Sequence, residues 1–182
     1  DAGVHAINQV VHFDSRVNRG EKAWSTGVNS LLPPSIRVIW ARDVDSEFHA
    51  RFSATARNYK YLVYCQKTER PMLWKKALRV SQKLDISAMN EAVACLVGEH
   101  DFSAFRAAGC QSKSANRRVI DANWTVRGAF AIFNIKANAF LLHMVRNIVG
   151  SSLDVGRGIR ESDWFSELLD DGERSSAGVT AP

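Results

Sequence analysis

Residues 6–14 (AINQVVHFD) place Ile7, Val10, Val11 and Phe13 in a β-branched, partly alternating run, the pattern of a strand. Residues 20–32 change to helical spacing. Pro33-Pro34 marks the end of that helix, because proline disfavours a helical residue before it and cannot donate a backbone hydrogen bond. A second strand is predicted over 36–44 (IRVIWARDV). The clearest strand is 56–65 (ARNYKYLVYC): its period of two puts Tyr59, Tyr61 and Val63 on one face and Lys60, Leu62 and Tyr64 on the other. Asp85 then reads as the N-cap of a helix whose core face is Ile86, Met89, Val93 and Leu96, with Gly98 as its stop. Residues 119–126 and 131–137 flank Arg127-Gly128-Ala129 as a hairpin. Residues 140–153 form a strongly apolar helix, and Ser162 caps a last one carrying Trp164, Phe165, Leu168 and Leu169, which Gly172 ends.

Antiparallel-looking strands with helices between and after them predict an α+β fold, a mixed, largely antiparallel sheet with helices packed on one face. No strand runs into a Gly-rich phosphate loop, which argues against a doubly wound nucleotide-binding fold. At 182 residues and 46% hydrophobic content the chain can bury one substantial core. It opens on Asp-Ala-Gly and closes on Thr180-Ala181-Pro182 directly after a helix-like stretch, so it is expected to be an internal piece of a longer protein, with a possible subdivision into 1–45 and 46–182.

The balance of 24 Lys+Arg against 19 Asp+Glu, a net charge of +5, raises a polyanionic partner as a hypothesis. Cys65, Cys95 and Cys110 are odd in number and widely spaced, with no CxxC pair, which fits a reducing compartment better than a disulfide framework. No apolar run approaches the roughly 20 residues of a membrane span, and the chain is expected in the cytoplasm. His5, His12, His49, His100 and His143 are too scattered to spell a metal motif.

In the absence of Ser or Cys nucleophile motifs, a carboxylate is the best candidate nucleophile. Asp1 sits in a Gly-containing turn ahead of a predicted strand, where a side chain can be held rigidly. On the 140–153 helix, Leu141, Met144, Val145, Ile148 and Ser152 share one face and His143, Arg146, Asn147 and Gly150 the other. That second face is either solvated or a binding face. A lone arginine within an apolar helix is poorly solvated and calls for a carboxylate or phosphate. The stretch from Phe48 to Tyr59 interleaves arginines and aromatics, as a surface that grips phosphates and stacks on a base would. Phe48 and Phe52 are read as core, Arg51 and Arg57 as facing phosphates. Lys113, Arg117 and Arg118 form a second basic cluster, either solvated or RNA-binding.

Four segments, DAGVHA from Asp1, FHARFSATARNYKY from Phe48, GEHDFSAF from Gly98 and NAFLLHMVRNIVG from Asn138, together resemble the bacterial tRNA pseudouridine synthase A family. The resemblance covers essentially the whole chain. It implies a fold built on ferredoxin-like units, a homodimer, tRNA as partner, and isomerisation of uridines on the 3′ side of the anticodon stem-loop without metal or cofactor. It implies that Asp1 is the catalytic aspartate, that Tyr59 packs on the target uracil, and that Arg146 pairs with the catalytic carboxylate and holds it ionised in a site apolar enough to oppose that. It also implies RNA-binding roles for His5, His49, Arg51, Arg57, Lys113, Arg117, His143 and Asn147. The chain departs from the family pattern in three ways: no Gly-Arg-Thr or earlier strand precedes Asp1, no Gly-Leu-Tyr-like segment follows Pro182, and Leu142 stands where a second histidine often precedes His143. On this reading the longer parent is the active enzyme. A non-catalytic RNA-binding module and a carboxylate-based hydrolase of a small metabolite are the competing readings.

Overall fold

The computed structural model describes residues 3–182, so Asp1 lies outside the described residues. The chain divides into two compact units, Asp1–Ala54 and Thr55–Pro182.

In the first unit, the two strands predicted over 6–14 and 36–44 do not form; among the described residues no strand precedes Arg57. Both stretches lack a ladder, and Ile7, Val11, Phe13, Ile39 and Trp40 are all exposed. The alternating pattern specifies an extended backbone. A strand also needs a hydrogen-bonding neighbour, which no described residue supplies. The nearest substitute is Asn29, whose side-chain amide donates to the Val38 carbonyl and accepts from the Val38 amide, both at 2.8 Å. The predicted helix is shorter than 20–32: α1 (Gly20–Lys22) runs into a π-helical turn, Ala23–Gly27, and helical backbone ends at Asn29. The Ser25 hydroxyl donates to the Glu21 carbonyl at 2.9 Å, where the i to i−4 ladder would otherwise close. Trp24 packs edge-on against Phe13, ring centroids 5.0 Å apart.

The second unit is an α+β layer structure. Its five strands are β1 (Arg57–Cys65), β2 (Leu78–Val80), β3 (Gly98–Asp101), β4 (Asn116–Arg127) and β5 (Phe130–Ala137), in the order β2-β1-β5-β4-β3. All neighbours are antiparallel except β1 and β2. The central hairpin turns at Gly128, whose φ of 59° is the left-handed conformation glycine adopts without strain. Ile120 is an extra residue in β4, between the Val119↔Ala137 and Asp121↔Lys136 pairs. β2 and β3 were absent from the sequence reading because three and four residues are too few to show a period. Gly98 opens β3 at φ 122° rather than stopping the helix, which ends four residues earlier.

Helices α2 (Ile86–Ala94), α3 (Met144–Gly156) and α4 (Trp164–Asp171) build the core with one sheet face, around Met89, Val93, Leu96, Trp124, Phe133, Ile135, Ile148 and Phe165. Asp85 caps α2 as expected, accepting from the Ala88 amide at 3.0 Å. Asp85→Ala should therefore lower stability by about 1 kcal/mol, measurable as a shifted urea midpoint with unchanged slope. Asn90 of α2 stands in for a strand partner beside β4, giving 3.0 Å to the Trp124 carbonyl and accepting 2.7 Å from its amide.

Two helix starts differ from expectation. α3 begins at Met144, not Phe140, because the preceding residues bond elsewhere. Asn138 Oδ1 accepts from the amides of Arg118 and Ala139, the Leu142 carbonyl accepts from the Ala107 amide, and the Leu142 amide donates to Cys110 Sγ. His143, at φ 57°, then turns the chain into the helix. Asp163 rather than Ser162 occupies the N-cap of α4, with no side-chain cap bond, while Gly172 ends the helix at φ 69° as predicted.

Candidate functional site

The sequence reading divided α3 into an apolar face and a polar one. In the structure, α3 is wrapped on nearly all sides: Asn147, Gly150, Ser151 and Ser152 are as buried as Met144 and Ile148. What covers the supposed polar face is the chain's own segment 174–182. Asn147 Oδ1 accepts from the Thr180 hydroxyl at 2.6 Å and from Arg174 at 3.1 Å, and its amide donates to the Phe105 carbonyl at 2.8 Å. Asn147 thus organises the interior and shows solvent no polar atom. Ser151 Oγ accepts from the Gly178 amide at 3.0 Å, and a Cβ on Gly178 would come within 2.9 Å of Ser151 Cα.

This packing fixes Arg146. Its Nε donates to the Ala181 carbonyl at 2.7 Å, and the Ala181 amide donates back to the Arg146 carbonyl at 3.1 Å. One edge of the guanidinium is thereby spent on backbone, which orients the plane and leaves the two Nη groups for a ligand. The ion pairs among the described residues, Arg79–Glu69 at 3.6 Å and Arg157–Asp154 at 3.7 Å, do not involve Arg146. A half-buried cation with no carboxylate partner among the described residues is suited to an anionic ligand.

β1 presents two phenols on the face toward α3. Tyr61 donates to the Pro182 carbonyl at 2.7 Å; burial pushes its phenol above the ordinary range, while the nearby Arg146 charge pulls against that rise. Tyr59, two residues along the same face and so about 7 Å away, is half-buried and receives the edge of Phe140 at 5.0 Å between ring centroids. Tyr59 and Arg146 therefore share one region of the second unit. Tyr61, Thr180 and Arg174, which hold that region together, were missed by the sequence reading. Tyr61 carried a signal, its period-two relation to Tyr59. The backbone carbonyls of Ala181 and Pro182 carried none.

Of the other predicted residues, Arg57 stands two residues from Tyr59 on the same face of β1 and donates to the Asn138 carbonyl at 3.2 Å, and His143 is exposed at the start of α3, three residues from Arg146; the rest are dispersed. Lys113 is exposed, whereas Arg117 folds back on its own loop, bonding Ser112 Oγ and the carbonyls of Ser114 and Asn116. In the first unit His5 is exposed. The His49 ring lies 4.3 Å from those of His12 and Phe52, and its Nδ1 accepts from the amides of Arg51 and Phe52. The Arg51 guanidinium lies 5.8 Å from the Phe52 ring centre. Phe48 is half-buried and Phe52 is 77% exposed, so neither is the core residue expected; the small first unit has no layer to bury them. Among the described residues no group of three or more His, Cys, Asp or Glu is placed to hold a metal, and no helix is long and apolar enough to cross a membrane.

Residues 92–182 match the family described as tRNA pseudouridine synthase. Over its full length the chain is similar to curated proteins named tRNA pseudouridine synthase A. It is 48% identical to that of Aeromonas salmonicida, 51% to that of Shewanella woodyi and 52% to that of Idiomarina loihiensis, covering 67%, 69% and 69% of those relatives.

Proposed function

Since the chain belongs to the tRNA pseudouridine synthase A family, we propose that the protein isomerises uridine to pseudouridine in the anticodon stem-loop of tRNA, with Asp1 as its catalytic carboxylate, Arg146 as the counter-charge and Tyr59 as the surface on which the uracil rests. The observation that carries this reading is Arg146, a half-buried guanidinium oriented by the Ala181 carbonyl and without a carboxylate partner among the described residues. The reaction breaks the bond between ribose C1′ and base N1, turns the uracil, and joins C1′ to C5; the proton lost from C5 is balanced by one gained at N1. Attack by the carboxylate and removal of a ribose proton by it both demand an ionised aspartate, which an adjacent guanidinium favours. The phenol ring offers a flat wall that keeps the detached uracil facing the sugar. The target base must leave its stack, at a cost of a few kcal/mol, which contacts to the RNA backbone offset. His5, His49, Arg51, Arg57, Lys113, Arg117 and His143 supply those contacts in this reading. Asn147 acts behind them by holding the 174–180 segment on α3. The same reading takes the protein as a cytoplasmic homodimer that works without metal or cofactor.

The test is release of tritium to water from tRNA labelled at uridine C5, by the full-length protein. Release, together with tRNA affinity that falls steeply with salt, is expected. Tight tRNA binding without release would mean an RNA-binding module, and no salt-dependent tRNA affinity would favour a small-molecule enzyme.

A further inference from the structure

Residues 67–79, which run from the end of β1 into β2, carry five cations, Lys67, Arg70, Lys75, Lys76 and Arg79, against one carboxylate, Glu69. That local excess nearly equals the net charge of the entire chain, +5. Two of the five cations are engaged: Arg79 pairs with Glu69 at 3.6 Å, and Arg70 Nε donates to Gln66 at 2.6 Å. Lys67, Lys75 and Lys76 are exposed, with no carboxylate in ion-pair reach among the described residues. Between them stand two large apolar side chains turned to solvent, Met72, 87% exposed, and Trp74, 68% exposed.

Backbone hydrogen bonds shape this loop. Pro71–Leu73 is a 3-10 turn; the Trp74 amide donates to Pro71, and the amides of Lys76 and Ala77 both donate to the Leu73 carbonyl. Lys75 takes a left-handed conformation, φ 58°, rare for a residue with a side chain. The Arg70 amide reaches the hydroxyl of buried Tyr64 at 3.4 Å, anchoring the loop to the sheet. An indole presented on a hydrogen-bonded, cationic loop is a stacking platform with phosphate ligands beside it.

We propose that this loop is a second contact with the substrate RNA, in which Trp74 stacks on an unpaired base and Lys67, Lys75 and Lys76 take the flanking phosphates; the proposal rests on the tRNA reading above. Tyr59 and Cys65 are six residues apart on β1, about 20 Å of strand, so the contact falls on a part of the tRNA remote from the target uridine. A membrane surface would also attract lysines beside a tryptophan. That role calls for an amphipathic helix with a continuous apolar face, and this loop is a single 3-10 turn with two exposed apolar side chains.

Trp74→Ala, Trp74→Phe and Lys75→Gln/Lys76→Gln variants of the full-length protein should be compared on labelled tRNA and on its isolated anticodon stem-loop. Trp74→Ala should raise KM for tRNA about ten-fold or more, with kcat unchanged, and Trp74→Phe should restore most of the loss. The double lysine variant should lower the slope of log affinity against log salt by about 0.7 to 0.9 per lysine. Activity on the stem-loop should not change in any of them. Variants with wild-type KM for tRNA would overturn the contact, as would equal losses of kcat on both substrates, which indicate a structural role. Loss of co-sedimentation with vesicles of anionic phospholipid, with KM for tRNA unmoved, would reassign the loop to a membrane surface. A wild-type protein that releases tritium from neither RNA would sink the tRNA reading and this contact with it.

Discussion

Arg146→Met in the full-length protein is expected to lower kcat/KM for tRNA by about 10² to 10³, the usual cost of removing one preorganised electrostatic partner from an active site. Methionine keeps the apolar stem but is shorter and gives up the Nε bond to the Ala181 carbonyl, so urea melts should accompany the kinetics to separate lost charge from lost folding. Arg146→Lys should fall between the variant and the wild type. It keeps the charge but forfeits the fork that gives Nε to Ala181 at 2.7 Å while leaving two Nη groups for a ligand. If Arg146 works by holding the Asp1 carboxylate ionised and aimed, the two residues act as a unit. Asp1→Ala alone should then reduce tritium release to background, and adding Arg146→Met to it should cost nothing more. Losses that multiply in the double variant would show that the guanidinium serves a different group, such as an RNA phosphate.

How much of this was legible in the sequence depended on whether an element's pattern is completed by its own residues. β1, the β4–β5 hairpin, α2 and α4 were readable because their periods run for eight residues or more and their turn or cap residues, Asp85, Gly128 and Gly172, are local. The stretches 6–14 and 36–44 carry the residues of strands, yet a ladder is a property of two segments and neither finds its second among the described residues. β2 and β3 fail in the opposite direction: they are strands because a neighbour pairs with them, and their own few residues say little. The start of α3 was misplaced for a related reason. Nothing in residues 140–143 forbids a helix, but Arg118 holds Asn138 just before them and the 107–110 loop takes both the amide and the carbonyl of Leu142.

The site divides in the same way. Tyr59 and Arg146 could be singled out by chemistry, an aromatic on a half-exposed strand face and a cation in an apolar helix. Asn147 could not be interpreted, because its place on a helical wheel beside Arg146 suggests a shared ligand, whereas its actual partners are Phe105, Arg174 and Thr180, 42, 27 and 33 residues away. Those partners turn the face read as polar into an interior, and the segment that does so also holds Arg146 and Tyr61 through the carbonyls of Ala181 and Pro182. The contribution of a main-chain carbonyl is independent of the residue that carries it, so no inspection of side chains would have found it.

That dependence of the site on segment 178–182 makes Gly150 a sensitive position, with the tightest surroundings of the described glycines. A methyl group there would overlap the Val179 carbonyl oxygen and come within 3.0 Å of the Val179 carbonyl carbon and 3.3 Å of the Ala181 nitrogen. All three atoms are backbone, so no rotamer change relieves the overlap; the segment must lift off α3. Lifting it breaks the Ala181 bonds to Arg146, the Thr180 bond to Asn147 and the Pro182 bond from Tyr61 together. Gly150→Ala should therefore cost about 1 to 3 kcal/mol of stability, and lower kcat at temperatures where the variant is still fully folded, because Arg146 loses its orientation. Gly156→Ala is the matched control. It is also buried on the same helix, but its new methyl would meet the sulfur and Cγ of Met89 and a Leu84 methyl, atoms of flexible side chains and not backbone. It should lose stability in the lower part of that range and keep the wild-type kcat. Equal kcat in the two glycine variants, measured with urea melts that confirm folding, would show that the 178–182 segment supports the fold and has no part in aiming Arg146.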